Sequence, residues 1–175
     1  MSTTRRNLLG LATAASVALI LPDADAAKNK KKRKSRKQRR CKGLPSALSI
    51  VQALQAAGLP IGAYEEYTIY TDPNEMMGRP GGYTSKVNFL DTRLEREYTD
   101  EYDVSDGGSV EFFANTKNLQ ARVKHLEFVQ ATIPLIDSEV MITHGTALLR
   151  VSNRLLITYS DGYRGQFRTL KICSK

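Results

Sequence analysis

Apolar residues recur along this chain in two periods, and the changes from one to the other mark its elements. Leu44, Leu48, Val51 and Leu54 follow one another at intervals of four, three and three, which gathers them on one face of a helix. Pro45 and Ser46 suit its first turn. Gly58 before Leu59-Pro60 supplies a C-terminal stop in which Gly58 takes positive φ and Leu59 folds back on Leu54. Ile61 to Thr71, rich in Tyr, Ile and Thr, predicts a strand, followed by a turn-rich loop from Asp72 to Gly82. Ser85 to Thr92 predicts a second strand with Val87 and Phe89 on one face. Ser109 to Ala114 predicts a third, with Val110, Phe112 and Ala114 on one face and Glu111 and Phe113 on the other. Three successive strands joined by loops predict an antiparallel meander.

A second helix is predicted from Thr116 to Ile133, capped by Asn115 or Thr116, with Leu119, Val123, Leu126 and Ile133 as its core stripe and Pro134 as terminator. Val140 to Val151 predicts a fourth strand whose Ala147, Leu149 and Val151 share a face. Leu155 to Leu170 supports two readings. Asp161-Gly162 between apolar and aromatic residues signals a two-residue hairpin, whereas Tyr159, Tyr163 and Phe167 recur at helical spacing. Gly162 and Gly165 weaken the helix by about 1 kcal/mol each. The pattern predicts an α+β domain, a small antiparallel sheet of about four strands packed with two to three helices in the order α-β-β-β-α-β-α.

Charge divides the chain differently. Of 26 bases and 18 acids, residues 1–43 hold 13 and 2, and residues 44–175 hold 13 and 16. The basic excess belongs to the N-terminal stretch, and the predicted domain is mildly acidic. Residues 1–26 have the parts of an export signal: Arg5 and Arg6, an apolar run from Leu8 to Leu21, and small residues at Ala24 and Ala26. A run of about 14 residues diluted by Gly, Thr, Ala and Ser falls short of the roughly 20 that a membrane span needs, so no transmembrane anchor is expected in the mature chain. The arginine pair before a weakly hydrophobic run resembles a twin-arginine signal, which would make the twin-arginine export machinery a partner. The alternative is an ordinary secretory signal, and both imply a secreted or extracytoplasmic protein of the cell envelope.

Residues 27–43 form a polybasic segment in which Lys30, Lys31, Lys32, Arg33, Lys34, Arg36, Lys37, Arg39 and Arg40 crowd together without an acid. Such a run repels itself and predicts disorder. Behind an export signal its accessible polyanions are cell-wall polymer, an anionic lipid surface or extracellular nucleic acid, each base contributing about 1 kcal/mol at low salt and the binding being salt-sensitive. The competing reading is a solvated spacer. Residues 44–175 then form one domain, long enough to bury roughly two thirds of its unfolded surface.

The pieces AAGLPIGAYEEYT, TDPNEMMGRPGGYTSKVNFLDTR, DGGSVEFFAN and HGTALLRVS cover much of residues 55–152. In them the chain resembles an uncharacterised family of secreted or envelope-attached bacterial proteins, many actinobacterial, which brings no established activity, ligand or catalytic residue. The resemblance implies the fold and the compartment. It also implies a C-terminal helix after HGTALLRVS, ending near Tyr163, although Gly162, Gly165 and the basic run depart from the family.

Candidate chemistry is sparse. The loop from Thr71 to Lys86 is the best recognition surface, with Gly81 and Gly82 presenting backbone N–H groups, Arg79 and Lys86 supplying positive charge to an anionic ligand, and Tyr83 stacking or hydrogen-bonding. The competing reading is a strand connection whose glycines solve a turn. Two histidines, His125 and His144, are too few for a metal site, and no catalytic residue, metal set or cofactor motif is assigned. The acids from Glu95 to Asp106 read as a solvated turn. Cys41 and Cys173, the only cysteines, flank the domain of an exported chain, where an oxidising compartment favours one intramolecular bridge over free thiols or a dimer. The sequence therefore points to a non-enzymatic exported module that associates with anionic polymers. The alternatives are a small secreted hydrolase built on His144 or a protein-binding or inhibitor domain.

Overall fold

The structure, a computed structural model, describes residues 43–96, 102–133 and 139–173, all within one compact unit, Arg40–Lys175. The export signal, the polybasic segment, Cys41 and Pro134 lie outside the described residues.

Helix α1 (Ala47–Ala56) starts at Ser46, whose hydroxyl accepts from the Ser49 amide while the Ser49 hydroxyl accepts from the Ser46 amide. This reciprocal pair satisfies two donors that a helix start leaves open. The helix ends as its sequence implies: Gly58 (φ 88°) donates to the Gln55 carbonyl and Leu59 to that of Leu54. Ala47, Ile50, Val51 and Leu54 are its buried residues. Leu44, expected in the helical stripe, instead pairs with Ile172 in an isolated parallel bridge.

Five antiparallel strands follow, β1 (Ile61–Glu66), β2 (Tyr83–Asp91), β3 (Gly107–Phe113), β4 (Val140–His144) and β5 (Ala147–Val151), in the spatial order β1-β2-β3-β5-β4. The meander of β1 to β3 is as expected. The single strand predicted over Val140 to Val151 is a hairpin, because Gly145 (φ 58°) and Thr146 reverse the chain and bring His144 opposite Ala147. Helix α2 (Thr116–Thr132) lies between β3 and β4, with the Asn118 amide capped by the Asn115 side chain. Ile133, expected in its core stripe, is 43% exposed. Helix α3 (Ile157–Thr169) settles the C-terminal ambiguity in favour of a helix. The fold class is α+β, with five strands and three helices among the described residues.

Every residue of β3 and β5 is buried, so both faces of the sheet are covered. On the first face Val87, Phe89, Val110, Phe112, Leu149 and Val151 pack against α1 and against Tyr163 and Phe167 of α3. The Tyr163 hydroxyl reaches 2.8 Å to Asp91, which Arg93 also grips at 2.8 and 2.5 Å. These bonds outweigh burial and hold the Asp91 carboxyl below its ordinary range. On the second face Tyr83, Phe113, Leu148 and, from α2, Leu119 and Leu126 form a smaller core at one end of the strands.

Candidate functional site

Beyond that small core the second face turns polar. Strand register sets Lys86 beside Glu111, which is itself opposite Leu148. The next row on the same face runs Glu65, Asn88, Ser109 and Arg150 across β1, β2, β3 and β5. Alternation therefore buries charge here, since the residues between them belong to the first-face core. The charges are paired. Glu111 accepts from Arg122 of α2 at 3.0 Å through both carboxylate oxygens and from Arg150 at 3.0 Å. Arg150 also binds Glu139, which with Glu111 raises the guanidinium pKa against its burial. Glu111 is fully buried and Arg122 is 7% exposed.

Asp72 organises the other half. Its carboxylate oxygens lie 2.5 and 2.6 Å from the Tyr83 hydroxyl and accept from the Met76 and Met77 amides at 2.9 and 3.1 Å and from Lys86 at 3.4 Å. Burial opposes ionisation of Asp72, but these donors outweigh it and depress the pKa. The Lys86 ammonium, 2% exposed, sits 4.6 Å from the centre of the Tyr67 ring. Burial pulls the Lys86 pKa down despite Asp72 and Glu111, and it pushes the Tyr83 phenol up, with Asp72 adding to the rise.

Above the polar row lies a cavity of about 560 Å³, lined among others by Glu65, Tyr67, Lys86, Asn88, Tyr102 and Arg150. That volume is within the roughly 300–1,000 Å³ of small-molecule sites. The Asn88 amide nitrogen donates 2.6 Å to the Tyr102 carbonyl and 3.3 Å to the Tyr67 hydroxyl. A carbonyl can only accept, so the nitrogen is fixed and Oδ1 points the other way. Asn88 is 4% exposed, and Asn88 Oδ1 and Ser109 Oγ, side by side across the strands, are buried without a hydrogen-bond partner. A buried polar atom left so costs about 1–3 kcal/mol.

Of the expected recognition loop, the fold brings only Tyr83 and Lys86 together, at Asp72. Arg79 and Glu75 form an exposed pair, Gly81 is exposed at a turn of φ 87°, and Gly82 is a close-packed position where a Cβ would lie 1.9 Å from the Met76 carbonyl oxygen. These three residues lie away from the cavity lining. Tyr83 is buried as core, and Lys86 serves an internal carboxylate. His144 Nε2 lies 2.8 Å from the Leu170 carbonyl and its ring packs edge-on to Phe167; it is no part of the cavity lining. His125 is exposed on α2. The acidic connection is less solvated than expected where it is described. Asp103 caps the short 3₁₀ turn Val104–Asp106, and Asp106, 5% exposed, lies 4.0 Å from both Arg96 and Arg154. Among the described residues no group of His, Cys, Asp and Glu is arranged to hold a metal, and no helix is long and apolar enough to cross a membrane. Cys173 is disulfide-bonded.

Sequence reasoning missed Asn88, Glu111, Arg122, Glu139 and Arg150. One signal was present. Phe113 shares a strand face with Glu111, and an aromatic residue there indicates a covered face rather than a solvated one. Compared with protein-family models, with curated proteins and with solved structures, the chain matches none.

Proposed function

We propose that this chain is an exported, non-enzymatic binding module with two contacts. Its polybasic segment associates with anionic envelope or extracellular polymers, and its folded unit holds a small polar molecule in the cavity on the second face. The first contact rests on the segregation of 13 bases and 2 acids into residues 1–43 behind an export-signal pattern. The observation that carries the second is the cavity of about 560 Å³ itself, lined by Glu65, Tyr67, Lys86, Asn88 and Tyr102. Binding, rather than catalysis, is what the paired charges suit: Lys86, Glu111, Arg122 and Arg150 are each tied to a counter-ion within the fold, which leaves no acid, base or nucleophile poised for proton transfer among them.

The test is a pull-down on cell-wall, anionic-lipid and DNA fractions with and without residues 27–42. Association should fall sharply on deletion and with rising salt. Undiminished, tail-independent association would transfer the polyanion contact to the folded unit and overturn the first half. For the second half, a screen of small polar compounds by amide chemical shift should perturb Asn88, Tyr67 and Glu65.

A further inference from the structure

We propose that Lys86 and Asp72 join covalently, the lysine Nζ condensing with the aspartate carboxyl to give a side-chain amide that cross-links β2 to the loop before it. This is a modification of the chain by itself, independent of what the cavity holds. The geometry suits attack. Nζ lies 3.4 Å from Asp72 Oδ1, so a shift of about 1 Å brings it to the roughly 3–3.5 Å from Cγ at which bond formation begins. The other oxygen, Oδ2, accepts from two backbone amides, Met76 at 2.9 Å and Met77 at 3.1 Å. Two N–H donors on one carboxyl oxygen, with the nucleophile at the other, stabilise the oxyanion that attack on Cγ creates. The Tyr83 hydroxyl, 2.5 Å from Oδ1, stands at the oxygen that must leave.

Burial favours the product. The two side chains are 2% and 0% exposed, and Nζ lies 4.6 and 5.9 Å from the centres of the Tyr67 and Tyr83 rings. An ion pair in such a place carries the desolvation cost of two charges, whereas an amide carries none. The atoms balance without a co-reactant. One proton passes from the ammonium to Oδ1, leaving an amine and a carboxylic acid. The amine electron pair then forms the Nζ–Cγ bond. As the tetrahedral intermediate collapses, the Cγ–Oδ1 bond breaks, and the oxygen takes a second amine proton, relayed through the Tyr83 hydroxyl, and departs as water. Nζ keeps its third proton as the amide N–H. The donors that hold Asp72 ionised oppose the first proton transfer and assist the attack, so closure is slow and follows folding. Until it closes, the two groups titrate as an ion pair; afterwards neither carries charge. The event consumes both partners once and gives no turnover on a bound molecule.

The test is intact-mass spectrometry of the mature chain, incubated folded and then reduced and alkylated, followed by peptide mapping. The mass should fall short of the sequence by one water. Trypsin should leave Lys86 uncut, and fragmentation should give no separated ions from backbone breaks between residues 72 and 86, which the cross-link holds in one ring. Lys86→Arg should keep its full mass. A parent chain at full mass after prolonged incubation would overturn the proposal. So would a water deficit that Lys86→Arg retains, since Asp106-Gly107 and Asp161-Gly162 can lose water by cyclising on their own backbone. Asp72 cannot do so, because Pro73 has no N–H. Where Lys86→Arg does not fold, the parent map decides alone: a tryptic peptide ending at Lys86, with no uncut counterpart, would overturn the cross-link.

Discussion

Asp72 holds together groups that would otherwise be incompatible with burial. Replacing it by Ala leaves the Lys86 ammonium, 2% exposed, without a counter-ion and deprives Tyr83 of its acceptor. A loss of about 3–5 kcal/mol in unfolding free energy is expected, measured by urea denaturation at neutral pH. The pH dependence has a definite sign. The pKa values of Asp72 and Asp91 are both lowered from 3.8 by folding, so the unfolded chain takes up protons first as pH falls. The stability they contribute is complete above the unfolded value and is lost as pH drops from about 4 through their lower folded values. Asp91→Asn should flatten this acid limb of the stability profile relative to the parent, and an unchanged limb would count against the Arg93 and Tyr163 contacts. Residues like these are where the sequence misleads. Lys86 and Asn88 alternate with Val87 and Phe89, which reads as a wet face opposite a dry one. Only the arrival of α2 and the Asp72 loop on that face reverses the reading, and neither contact is local in sequence.

Among the elements, α3 carries the clearest engineering test. Gly162 and Gly165 lie within the helix Ile157–Thr169, and an added Cβ at either would meet no atom within 4 Å. Gly162→Ala and Gly165→Ala should each stabilise the fold by about 0.5–1 kcal/mol, because glycine loses more backbone freedom in a helix. Thermal denaturation checks this, and a destabilised variant would mean that the face is covered by something outside the described residues. The helices were legible because their caps are local: Ser46, Gly58 and Asn115 act within a few residues of themselves. The strands of the meander were legible from alternation, whereas the β4-β5 hairpin was not. His144-Gly145-Thr146-Ala147 lacks the usual Asn-Gly or Asp-Gly signal, and apolar residues on both sides of Gly145 read as one strand with an interior glycine.

For the whole molecule, removing residues 28–40 should leave the melting temperature nearly unchanged, because the apolar stripes of the helices and strands read from the sequence all lie after Gly43. Export should fail when Arg5 and Arg6 are both changed to Lys, if the signal is of the twin-arginine kind, and normal secretion of that variant would identify an ordinary secretory signal instead. A bond from Cys173 to Cys41 would close a loop of about 130 residues and contribute about 4–5 kcal/mol in the chain-entropy account. Denatured, unreduced mature protein should then show no titratable thiol and migrate as a monomer, while a band at dimer mass would reassign the bond between chains. The meeting of the two chain ends has a further, mechanical side. Leu44 donates 2.7 Å to Lys171, and Cys173 donates 3.2 Å back to Leu44. A domain moored through the segment before Gly43 and dragged by its surroundings would feel tension first along this short parallel zipper. The load would pass to the last C-terminal residues, through the bond from the Thr146 hydroxyl to the Cys173 carbonyl, before it could begin to unwind α1.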